Sequence, residues 1–128
     1  MKGKNMKVIS DTTHGILDYV TVAIFALAPA VLGLTGYAAL VSYALAAIHL
    51  AMTLLTNMPL GVVKIIPMRL HALVEMLVGP VLVVAALALP NLLGDKREFF
   101  LVMGLVIVAV WLLSSYGRPA VAGQPHTT

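Results

Sequence analysis

Residues 19–63 contain no Asp, Glu, Lys or Arg. A run of 45 residues without those charges is long enough for two membrane spans of about 20 residues each and a tight turn between them. Residues 76–94 and 99–117 are charge-free in the same sense. Charged residues make up 10% of the chain and apolar residues 61%, whereas a soluble domain carries about a quarter charged residues. A chain of this kind cannot cover a water-facing surface. A soluble globule is excluded, and so is disorder, which needs few apolar residues. The chain has 0 cysteines, which removes a disulfide scaffold, thiolate metal sites, cysteine nucleophiles and iron–sulfur clusters. A net charge of +3 gives no ground for nucleic-acid binding.

Lipid offers backbone groups no hydrogen-bond partners, so spans must be helices or a closed barrel. The apolar runs are continuous and rich in Ala and Leu, which selects helices over the alternation of a barrel strand. The expected fold is all-α: a four-helix transmembrane bundle with spans over 12–33, 37–56, 67–90 and 98–116. It forms one domain over 1–117, followed by a flexible tail over 118–128 rich in small residues, Gly and Pro. Ser10, Asp11, Thr12 and Thr13 supply capping groups before the first span. Gly33 and Gly36 bracket a loop that makes the first two spans an antiparallel hairpin. Pro67 suits the first turn of the third span, and Gly79-Pro80 is expected to kink it. Residues 61–66 are expected along the membrane surface.

Lys2, Lys4 and Lys7 precede a span that continues into a hairpin, which is not the pattern of a cleaved signal peptide. With four spans, Lys64, Arg69 and Arg118 share the side of those lysines. Lys96 and Arg97 lie opposite, balanced by Asp95 and Glu98. The bias of basic residues then places both termini in the cytoplasm.

The first span opens with His14 and Asp18, and the third with His71 and Glu75, both as H-x-x-x-[DE]. Pro29 and Gly33 (P-A-V-L-G) return as Pro90 and Gly94 (P-N-L-L-G). These matches, in the same order, describe two repeated helical hairpins related by an axis along the membrane normal. In this the chain resembles the SPW-repeat family of small bacterial membrane proteins, over about residues 14–116. Ala28-Pro29-Ala30 and Leu89-Pro90-Asn91 stand where that family carries Ser-Pro-Trp, with the prolines and the following Leu-Gly in common. The resemblance implies a bacterial inner-membrane protein of paired hairpins and carries over no activity.

Ionisable groups inside a bilayer are costly and demand an explanation. His14 sits one turn from Asp18 on one helix face, as His71 does from Glu75. Helical rise puts Asp18 about 10 Å past Asp11, Glu75 about 12 Å past Pro67, and His49 at about the same depth on the returning second span. His14 and His71 are expected shallower, near the headgroups. Three histidines and two carboxylates thus gather in one leaflet, with Thr53, Ser114 and Ser115 at similar levels. The sharpest reading is a divalent transition-metal site made by His14, Asp18, His49, His71 and Glu75, since imidazoles and carboxylates on facing helices are ligands for zinc, iron or manganese. Proton or ion handling is a second reading. Haem between His49 and another histidine ranks lower, because His49 lies about 6 Å deeper than His71 by helical rise. The plain alternative is structural: interfacial histidines, carboxylates bonded to them, and an accessory subunit of a larger membrane complex or a homo-oligomer. Ala38, Ser42, Ala46 and Ala47 would then allow close helix contact, within the chain or with a partner. No catalytic residue is assigned.

Overall fold

The computed structural model describes residues 8–116. Lys2, Lys4, Lys7, Arg118 and the tail expected over 118–128 lie outside the described residues. Regular structure within them is helical: α1 (Asp11–Leu32), α2 (Gly36–Leu55), α3 (Met68–Ala88), the single turn α4 (Pro90–Leu93), a 3₁₀ turn (Gly94–Lys96) and α5 (Arg97–Leu113). The four long helices are the expected ones. α1 packs on α2 and α3 on α5, giving two hairpins laid against each other. α1, α2 and α3 are each long and apolar enough to cross a bilayer. α5 has 17 residues and ends before the expected limit of its span, because the chain turns extended at Ser114 (φ −89, ψ 146). The third span also closes early. Leu89 leaves helical geometry ahead of Pro90, whose ring disfavours α conformation in the preceding residue.

Local chemistry accounts for the helix ends. The Ser10 hydroxyl accepts from Thr13 N–H at 3.2 Å and caps α1. Gly33, at φ 71, closes it in the left-handed conformation that glycine takes without strain. Pro29 lies in the last turn of α1 and has no N–H to give to Phe25, four residues earlier. The Ser42 hydroxyl, fully buried on α2, donates to that carbonyl at 2.6 Å. In lipid such an orphan must be satisfied from within. Ala38, Ser42 and Ala46 therefore face inward, while Ala47 is exposed.

Residues 57–66 fold back over the end of α2. Val62 and Val63 N–H donate to Leu54 O, and Ile65 and Ile66 N–H to Leu55 O, supplying partners for carbonyls at the end of α2. Leu60 sits over Gly15, and its carbonyl accepts from the Tyr19 hydroxyl at 2.8 Å. The same backbone pattern occurs at both hairpin ends. Ile66 N–H donates to Leu55 O at 2.8 Å and Asn57 N–H to Ile66 O at 2.8 Å. Ile9 N–H donates to Leu113 O at 2.9 Å and Ser115 N–H to Ile9 O at 3.0 Å. Ile9 and Ile66 each lie five residues before a site histidine.

The outer surface is apolar: Val20, Leu40, Val81, Val84, Leu87 and Leu105 are all exposed. Water would not tolerate so continuous a patch; hydrocarbon does. The interior away from the histidines is filled by Phe25, Leu82, Phe100 and Met103. α3 and α5 cross at Gly79 and Gly104. A Cβ on Gly104 would lie 2.8 Å from Val83 Cγ2 and 3.0 Å from Gly79 O.

Gly104→Val should therefore lower the thermal midpoint in detergent, with an overpacking cost of about 1–3 kcal/mol. Lipid-facing Leu105→Ala should leave it nearly unchanged. In this cysteine-free chain, single cysteines at Lys64, after α2, and at Asp95, between α4 and α5, should react with an impermeant thiol reagent from opposite sides of the membrane. Labelling of both from one side would contradict the bundle's placement across the bilayer.

Candidate metal centre

Each hairpin contributes one imidazole and one carboxylate from a single helix face. His14 and Asp18 are a turn apart on α1, and His71 and Glu75 a turn apart on α3. Antiparallel return of α2 brings His49 to the same level. All five side chains meet between the hairpins. His14 Nε2 lies 3.3 Å from Asp18 Oδ2 and 3.2 Å from Glu75 Oε1. His71 Nε2 lies 3.1 Å from Asp18 Oδ2 and 3.5 Å from Glu75 Oε2. His49 Nε2 approaches the outer oxygens, at 3.2 Å from Asp18 Oδ1 and 3.8 Å from Glu75 Oε2.

His14 and His71 are not headgroup residues. Their side chains are 0% and 1% exposed, because Ile9, the 57–66 segment and Tyr116 cover that end of the bundle. The Asp18 and Glu75 side chains are equally dry, whereas His49 keeps 13% of its surface. Despite the short separations, His14 Nε2 and Asp18 Oδ2 have no hydrogen bond of acceptable geometry. Two buried polar atoms thus point at each other's neighbourhood without a partner, which is costly unless something lies between them.

The other side of each ring fixes its tautomer. His14 Nδ1 is 2.7 Å from the Ser114 hydroxyl, and His71 Nδ1 is 2.8 Å from the Thr56 hydroxyl. Each hydroxyl has one proton. Ser114 spends it on Val110 O and Thr56 on Met52 O, both four residues back. Each hydroxyl must then accept, so Nδ1–H of each imidazole donates to it. This leaves Nε2 of both rings facing the cluster, with a lone pair when the ring is neutral. The hydroxyl for each hairpin's histidine comes from the other hairpin. Tyr116, at φ 50 after α5, donates its phenol proton to Glu75 Oε1 and sets its ring edge-on to His14, with centroids 5.0 Å apart.

One ligand atom from each of His14, Asp18, His71 and Glu75 lies within 4.8 Å of the others. Ligand atoms bound at about 2.0–2.1 Å to a tetrahedral ion stand about 3.4 Å apart. Asp18 Oδ2 lies close to that spacing from both imidazoles, at 3.3 Å from His14 Nε2 and 3.1 Å from His71 Nε2, while Glu75 meets the two rings through different oxygens, Oε1 at 3.2 Å and Oε2 at 3.5 Å. His49 lies at the edge of this set.

Neither Tyr116 nor Thr56 is among the site residues expected from the sequence. A signal for Thr56 is present: Leu54-Leu55-Thr56 and Leu112-Leu113-Ser114 end the second helix of each hairpin in the same way. Comparison of the chain with protein-family models, curated proteins and solved structures gives no match.

Thr56→Val removes the acceptor for a buried Nδ1–H and should cost about 1–3 kcal/mol. A lower thermal midpoint that Thr56→Ser restores is the expected result. Equal midpoints for Val and Ser would show that the hydroxyl is not holding His71.

Proposed function

We propose that this small integral membrane protein holds a divalent transition-metal ion between its two hairpins. The ligands are His14 Nε2, His71 Nε2 and one oxygen each from Asp18 and Glu75, with His49 beside them. The convergence of these four buried atoms, two of them without a hydrogen-bond partner, carries the reading. Charge agrees with it: a doubly positive ion neutralises two carboxylates that lipid cannot solvate. Mixed imidazole and carboxylate donors suit zinc, iron or manganese. Ser114 and Thr56 orient the two imidazoles from behind, as partners of metal-bound histidines do. Haem fits less well, since Asp18 and Glu75 fill the space between the imidazoles where a macrocycle would lie.

The matching backbone bridges and hydroxyls support a reading of the hairpins as two copies of one unit, in line with the SPW-repeat resemblance. The basic residues support a bacterial inner-membrane protein with both termini, and the metal, toward the cytoplasm. All five site residues belong to one chain, so the metal reading needs no oligomer.

Protein purified in mild detergent from metal-replete cells should carry near-stoichiometric metal by elemental analysis. His71→Ala and Asp18→Asn should lose it, and Thr56→Val should weaken affinity about 10–100-fold. Metal-free protein, with these variants lowering only thermal stability, would instead make the cluster a structural clamp and favour the accessory-subunit reading.

A further inference from the structure

The centre is closed toward the end of the bundle. Thr56 and Ser114 are fully buried, and Met58 and Ser115 nearly so. Two crevices between the hairpins reach the centre, one on each side of the bundle. Between α2 and α3 the walls are Ile48, Met52, Val74 and Val78, with His49, His71 and Glu75 reached inside. Between α1 and α5 the walls are Val106, Val110, Leu17 and Thr21, with Asp18, His49 and Glu75 reached inside. These walls correspond position by position. Leu17 and Val74, like Thr21 and Val78, are 57 residues apart; Ile48 and Val106, like Met52 and Val110, are 58 apart.

Inside the crevices the equivalence breaks at one position. Where His49 stands in α2, α5 has Ile107, 58 residues later. His49 is also the most exposed of the five site side chains, at 13%, and it lines both crevices. The α2–α3 crevice has room of about 20 Å³, about what one water-sized molecule requires. Its apolar walls open among lipid-facing side chains, Ile48 among them. Such a passage excludes ions and large headgroups on grounds of charge and size.

We infer that the metal centre takes a small uncharged diatomic ligand, of the dioxygen or nitric oxide kind, from the hydrocarbon phase through the α2–α3 crevice past His49. This rests on the metal reading. Four protein ligands close a tetrahedral zinc site, but iron(II) held by histidines and carboxylates keeps positions open to further donors, and His49 is the side chain placed to meet one. Diatomics of this kind dissolve readily in hydrocarbon, so the bilayer is their reservoir. Binding is a simple addition: the ligand donates a lone pair to the metal, no protein bond breaks, and a bound water is the only group that could leave.

The test is nitric oxide added anaerobically to the full chain loaded with Fe(II) in lipid nanodiscs, read by electron paramagnetic resonance. A ferrous nitrosyl signal is expected, and azide should not suppress it. Ile48→Trp, which fills the α2–α3 crevice from a lipid-exposed position, should lose the signal while keeping its iron. Leu17→Trp, in the opposite crevice, should retain both. If Ile48→Trp fails to hold iron, Val74→Phe serves as the second block, with the same loss expected. Iron-loaded protein that forms no nitrosyl, that responds to Leu17→Trp instead, or whose signal survives both blocks overturns the inference and leaves the metal reading standing. A chain that takes up no iron, and no other transition metal, removes both.

Discussion

Asp18 and Glu75 are carboxylates held where neither water nor lipid can solvate them, and the arrangement of that end of the bundle follows from this. An unpaired buried charge costs far more than a typical packing contact contributes. Each carboxylate is therefore surrounded by groups that can donate or share a cation: three imidazoles and, at Glu75, the Tyr116 phenol. Those groups need fixing in turn. Ser114 and Thr56 hold the imidazoles, and their own protons are spent on helix carbonyls. The polar network thus closes on the backbone of α2 and α5, and what remains unsatisfied lies at its centre.

The network also explains how the two hairpins stay together. Contacts within each hairpin are close, aided by Gly79 against Gly104 and by Ser42 against the Phe25 carbonyl. Between hairpins, the cluster supplies directional links. Asp18 meets His71, Glu75 meets His14, and each histidine leans on the other hairpin's hydroxyl. Apolar surfaces gain little by leaving lipid for one another, so such polar and close-packed contacts carry specificity in a membrane. A metal at the centre would join ligands from both hairpins and act as a clamp as well as a site.

The near-symmetry makes its exceptions informative. Asp18 and Glu75 are equivalent in role, as are Ser114 and Thr56. His49 faces Ile107, and Tyr116 faces Met58, across the same relation. Both departures touch the cluster, His49 from the side of the crevices and Tyr116 from the covered end.

Four helices, their limits to within a few residues, and the gathering of polar groups toward one end of the bundle were legible in the sequence alone. Charge-free runs and helical rise are local properties, and a bilayer turns them directly into spans and depths. The i, i+4 pairs His14/Asp18 and His71/Glu75 were legible for the same reason. Tertiary structure decided the rest. Folding of residues 57–66 over the bundle, and the backbone bridges at Ile9 and Ile66, turned two expected interfacial histidines into fully buried ones. Rotation of each helix about its axis decided that Ser42 meets an orphaned carbonyl and that His49 sits at the edge of the cluster. The pairing of Ser114 with His14, 100 residues apart, depends on how one hairpin lies against the other. Apolar periodicity says little about that in a chain whose helices are apolar on nearly every face, because lipid and protein interior make the same demand on a side chain.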